Sequence, residues 1–280
     1  MEQLHEFRAM NEHLGEFTDR LNPEFLSAHP LDSSLDPASV YGRRTLDVFD
    51  LVDVTGRVLI TAGRPAPGFE LLYAAHAEMS AVVSISSSFP GAARTEAFWV
   101  SRHGVTQSRF ATPPASDDGV LWLQPFESLA PAVLEIASLA NSTDVPAEFR
   151  VPVKRSAVRP LAPRVEVFAA IADAIRGVSP GMAEQLDAGN GRQLSFSVDL
   201  VDEGGLQSID HTWVVTPVGA LTVVFEKERM FRPDTFITSL SLFELRRRIE
   251  DLLPGEAQRR FWNRLAAETA EARVDTTIPG

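Results

Sequence analysis

Two segments of this chain can be laid over each other without a gap: "TEAFWVSRHGVTQSRF" at Thr95–Phe110 and "DHTWVVTPVGALTVVF" at Asp210–Phe225. Phe98 falls on Trp213, Val100 on Val215, Ser101 on Thr216, Gly104 on Gly219 and Phe110 on Phe225. Each segment alternates apolar and polar residues up to a short turn and then resumes, which is the pattern of a β-hairpin. Pro217 suits the second position of a type I turn, and a glycine at the fourth position relieves the backbone in both copies.

Other elements repeat in the same order. Pro67-Gly68, opening "PGFELLYAAHAEM", corresponds to Pro180-Gly181, opening "PGMAEQLDA". "VSIS" at Val83–Ser86 corresponds to "LSFS" at Leu194–Ser197, and Leu129, Ile136 and Leu139 correspond to Leu242, Ile249 and Leu252. The offsets run from 111 to 115 residues, so four elements recur with almost constant spacing. The expected fold is therefore α+β, with two quasi-repeated halves related by a pseudo-two-fold axis. Each half holds a mainly antiparallel sheet with a hairpin and flanking helices.

The boundaries follow from the punctuation. Residues 1–45 carry an amphipathic helix, with Leu4, Phe7, Met10, Leu14, Phe17 and Leu21 on one face, and then a Pro- and Ser-rich irregular connection. Residues 46–145 form the first half; strand and helix are equally compatible with 46–60. Residues 146–163 read as a Pro-rich linker, 164–255 as the second half, and 256–280 as a C-terminal helix and tail.

Composition narrows the function. The 280 residues are 44% hydrophobic, enough for a substantial core. A net charge of -12 repels phosphate backbones and anionic lipid, so nucleic acid and membrane insertion are not expected. Only Lys154 and Lys227 are lysine, a bias towards arginine that suggests a GC-rich genome. There is no cysteine, which removes disulfides, thiolate metal sites and cysteine nucleophiles. The N-terminus lacks the basic and apolar regions of a signal peptide, and no apolar run reaches the roughly 20 residues of a membrane span. A cytoplasmic protein is expected.

Catalytic patterns are missing. No two of the six histidines have the spacing of a helical zinc site. There is no GxSxG, P-loop or GxGxxG. Asp210-His211 is the nearest thing to an acid–base pair, but neighbours on a strand point to opposite faces. No catalytic residue, metal or cofactor is expected. Arg246–Arg248 reads as a solvated helix face, with an acidic partner as the alternative.

The residues with interface character are apolar ones in odd places. Met230 and Phe231 stand among charges in a connection, and Phe261 and Trp262 lie beyond the last repeated helix. Aromatic, Met and Arg residues together mark interface centres. Arg102 and His103 sit at the first hairpin tip, where a charge reversal should leave folding almost untouched. These six residues are the expected partner-binding set, with return of Phe231 and Trp262 to the core as the alternative.

The layout resembles the EspG family of type VII (ESX) secretion-associated chaperones of actinobacteria. "LLYAAHAEMSAVVSI" is similar to that family's helix, turn and Val-rich strand. "FWVSRHGVTQSRFA" looks like its first hairpin with an Arg-x-Gly tip, and "SLSLFELRRRIEDLLP" resembles its closing strand and helix. The patterns cover residues 67–140 and 164–254; the first 65 residues depart from the family's opening strand and aromatic-rich helix. The resemblance implies a non-catalytic protein that binds the apolar tip of a helical PE–PPE substrate heterodimer and keeps it soluble for export. A groove between the two halves and the last helix would do the masking. Two alternatives stand beside it. One is a structural or regulatory protein with another partner, a second copy of the chain included. The other is an enzyme with a site around His211.

Overall fold

The computed structural model describes residues 6–10, 50–62, 64–89, 92–110, 118–139, 148–158, 164–225 and 235–275. The fold is α+β. Ten strands form one antiparallel sheet, and three short strands form a second. In chain order the strands are β1 (Glu6–Met10), β2 (Leu51–Val52), β3 (Val58–Thr61), β4 (Arg64–Pro65), β5 (Met79–Phe89), β6 (Ala92–Ser101), β7 (Gly104–Phe110), β8 (Asp118–Gln124), β9 (Arg150–Pro152), β10 (Arg192–Asp202), β11 (Gly205–Thr216), β12 (Gly219–Phe225) and β13 (Thr235–Leu240). The helices are α1 (Glu70–Ala77), α2 (Leu129–Ile136), α3 (Arg164–Ile175), α4 (Pro180–Asp187), α5 (Leu242–Leu252) and α6 (Glu256–Asp275).

The large sheet runs β1-β8-β7-β6-β5-β10-β11-β12-β13-β9. Its centre is the antiparallel pair β5–β10, where Ile85 faces Phe196. Those two residues are also the ones the sequence alignment of the two segments matches, 111 positions apart. Outward from this pair, both directions give three successive strands in chain order: β6, β7, β8 on one side and β11, β12, β13 on the other. The α+β class expected from the sequence holds, with one large antiparallel sheet and one small one beside the helices.

Alternation along the strands decides which face each helix covers. On one face, Val83, Ile85, Phe98, Phe196 and Trp213 meet Val133 and Ile136 of α2, Leu245 and Ile249 of α5, and Trp262 and Leu265 of α6. This cluster spans both halves. Arg192 reinforces it: its buried guanidinium donates to Ser87 Oγ at 3.2 Å and to the Ala137 carbonyl at the end of α2. The opposite face carries two separate clusters. Phe69, Leu72, Met79, Trp99 and Leu121 pack with Leu59 and Ile60 of the small sheet. Ile171, Ile175, Met182 and Leu186 pack on Val214, Leu221 and Ile237.

The two repeated turns match in detail. Ser101 Oγ accepts from His103 N–H at 3.1 Å and donates to the Gly104 carbonyl at 3.3 Å. Thr216 Oγ1 accepts from Val218 N–H at 3.4 Å and donates to the Gly219 carbonyl at 3.0 Å.

Three readings need correction or completion. Residues 6–10, expected within an amphipathic helix, are strand β1, paired along its length with β8. "EFRAM" fits either period, and pairing with a strand over a hundred residues away overrides local preference. The remainder of that expected helix lies outside the described residues. The stretch 146–163, read as a linker, contributes edge strand β9 to the sheet and buries Val158 against the second-half helices. Its Pro152 is tolerated because Val153 N–H and the Phe149 carbonyl bond to β13, leaving Pro152 on the outer edge. Of residues 46–60, left open between strand and helix, 46–49 lie outside the described residues and the rest form the β2–β3 hairpin around Asp53. That carboxylate is half-buried. Burial raises its pKa, but hydrogen bonds from Thr55 and Arg57 outweigh this and hold it below the usual range.

Candidate functional site

The hairpin tip with Arg102 and His103 is tethered rather than free. Glu78, just after α1, accepts from Arg102 Nε at 2.8 Å and from His103 Nε2 at 2.9 Å through the same oxygen. Burial pushes the Glu78 pKa up, but the two hydrogen bonds win and bring it from the ordinary 4.5 to about 2. Arg259 of α6 donates to the Arg102 carbonyl at 3.3 Å, pairs with Glu127 at 3.5 Å, and lies over the Phe126 ring. The tip is thus a junction of α1, α6 and the turn before α2.

Three residues along, Trp262 has no exposed surface and donates its indole N–H to the Val201 carbonyl at 2.7 Å. Phe261 is half-buried and touches both the shared cluster and the first-half cluster. The space between the last helix and the sheet is therefore filled by the chain's own side chains. Trp262 joins α6 to β10 and offers nothing to a partner here. Met230 and Phe231 lie outside the described residues.

His211 and Asp210 point to opposite faces of β11. The His211 ring is exposed and stacks on Trp213, with centroids 5.2 Å apart. Among the described residues, no group of three or more His, Asp or Glu side chains is placed to hold a metal ion. In Arg246–Arg248, Arg246 pairs with Glu250 at 3.0 Å and Arg247 with Asp251 at 3.9 Å. A shallow cleft of about 360 Å³ opens between β9, β13 and the start of α5, where Glu148 and Glu244 alternate with Arg150 and Arg248. Its charges balance, and the Glu244 carboxylate is already engaged in capping α5 at Ser241 N–H.

One open face among the described residues is not singled out by the sequence. It lies on the face opposite the shared cluster, between the two smaller clusters, where β6, β5, β10 and β11 run side by side. Register places two rows across it: Ala97, Ser84, Ser197, Asp210; and Thr95, Ser86, Ser195, Thr212. Ser84, Ser86, Ser195 and Ser197 surround the point where Ile85 meets Phe196. Two hydroxyl pairs lie open to solvent on it, Ser86 with Thr95 at 2.9 Å and Ser195 with Thr212 at 3.4 Å. The floor is small and polar, and Val82 and Ala97 of the first-half cluster, both half-buried, border it. On either side rise α1 with the small sheet, and α3 with α4. The result is a saddle.

No protein-family model matches the chain, and no curated protein matches it significantly. Among the described residues, no helix is long and apolar enough to cross a membrane.

Proposed function

We propose that this chain is a non-catalytic binding protein that keeps an aggregation-prone segment of a protein partner out of water, as a secretion-substrate chaperone does. The observation that carries the reading is the saddle: a central sheet face that, among the described residues, lies open between two built lobes. The resemblance to the EspG family, with its two sheet-bearing halves and its cytoplasmic PE–PPE clients, supports the same conclusion.

The groove expected beneath the last helix is replaced in this reading by the saddle, since Trp262 fills the former. Met230 and Phe231 remain proposed contacts, as do the exposed edges of Arg102 and His103. An enzyme centred on His211 is less well supported, because its acidic neighbour faces the other way.

The test is recovery of the tagged chain from its native host, followed by a solubility assay on the co-purified protein. The expected result is a stoichiometric complex with a helical partner that precipitates when released and stays soluble when the chain is returned. Catalytic consumption of a substrate without a stable complex would refute the reading.

A further inference from the structure

The saddle has a charge pattern that specifies its occupant. Asp199 and Asp210 share its face with the serines: Asp199 pairs in register with Ser208, and Asp210 with Ser197. The two aspartates are therefore diagonal neighbours, about 7 Å apart on adjacent strands. Asp210 is exposed and Asp199 half-buried. Neither makes an ion pair or a side-chain hydrogen bond among the described residues. Glu78, Glu96, Asp187 and Glu250 are by contrast each matched by an arginine. Two unmatched carboxylates at one end of an open face leave a local negative potential that a cation would neutralise.

The shape sets the second constraint. From β6 to β11 is three strand spacings, about 14 Å. That admits one α-helix, about 10–12 Å across with its side chains, and not two abreast. The serine floor lets a helix backbone approach closely, and its hydroxyls can turn to meet polar edges.

We propose that this face docks a single α-helix of a protein partner, with small residues against Ser84, Ser86, Ser195 and Ser197 and a lysine or arginine seated between Asp199 and Asp210. This rests on the reading of the chain as a binding protein. The occupant is a basic helical segment and neither a second copy nor a nucleic acid. A copy of this chain brings net charge -12, and a phosphate backbone would be repelled by the same carboxylates.

The experiment uses the full chain in its native host with a benzophenone amino acid placed at Ser195, and in a control at Phe243, an exposed residue of α5. After illumination, the cross-linked peptide is sequenced. The expected product at Ser195 is a helical segment of another protein with Lys or Arg within one turn of the cross-link. Asp199→Asn with Asp210→Asn should lower its yield about tenfold or more, without changing the melting temperature. Asp210→Lys should abolish it, and a Glu in place of the partner's basic residue should restore it. A cross-linked segment without a basic residue overturns the proposal, as does a yield indifferent to the double substitution or a cross-link only to this chain. If a partner is captured at Phe243 and not at Ser195, the binding function stands and the saddle assignment falls. Capture at neither position overturns both.

Discussion

Glu78 is the residue on which the first hairpin turns. One carboxylate oxygen holds both Arg102 and His103, and its pKa lies at about 2 instead of 4.5. A depressed carboxylate stabilises the fold above its unfolded pKa, and that contribution fades as pH falls from about 4.5 through about 2. Its side chain is about a third exposed, so screening reduces the effect to an estimated 1–2 kcal/mol. Glu78→Gln should thus lower stability by about 1–2 kcal/mol at pH 7 and much less at pH 2, measured by urea unfolding at both. Arg102→Glu, harmless for a free turn, should cost at least as much, because it sets a second carboxylate against the first. An unchanged urea midpoint for Arg102→Glu would show that the tip is not held in this way. Reading the tip as exposed failed because its partners, Glu78 and Arg259, are 24 and 157 residues away.

At the scale of elements, the two turns are equivalent in sequence and unequal in surroundings. A Cβ on Gly104 would stand 2.6 Å from the Gln124 carbonyl oxygen, and the residue has φ +149. A Cβ on Gly219 would meet the methyl of Met182, a flexible side-chain end, before any backbone atom. Gly104→Ala should therefore destabilise by about 2 kcal/mol or more, and Gly219→Ala by less. Thermal unfolding of the pair would expose an error in this ranking. The α6 helix has a similar anchor. Trp262→Phe keeps most of the volume but leaves the Val201 carbonyl without its indole donor, a loss of about 1–3 kcal/mol; Trp262→Ala should cost about 3–5 kcal/mol. The two long hairpins and the helices of residues 67–254 were legible in the sequence because each declares itself within a dozen residues, through Pro-Gly starts and alternating strands; the short β2–β3 hairpin was not. Strands β1 and β9 were not, since a short edge strand is defined by the neighbour it joins and its own residues fit other periods. The saddle was hidden for a related reason. Four serines on two distant strands become one surface only when β5 meets β10, and nothing local states that the halves join along those edges.

For the whole molecule, the cluster shared across β5–β10 is the main tie between the two sides of the sheet. Helices α2 and α5 lie on the same face, β10 reaches across through Arg192 to the end of α2, and Phe196 sits in register with Ile85 at the centre. This cluster therefore belongs to neither side alone, and the ten strands share one sheet. Phe196→Ala tests this. Removing a fully buried phenyl ring should cost about 3–5 kcal/mol. The loss should speed amide exchange in β5–β8 as much as in β10–β13, because global opening exposes both together. Hydrogen-exchange mass spectrometry resolves the two sets of strands. Faster exchange confined to β10–β13 would mean that the halves open independently. In that case the saddle would be a hinge between two bodies, and a docked helix would have to bridge a moving seam rather than rest on a rigid floor.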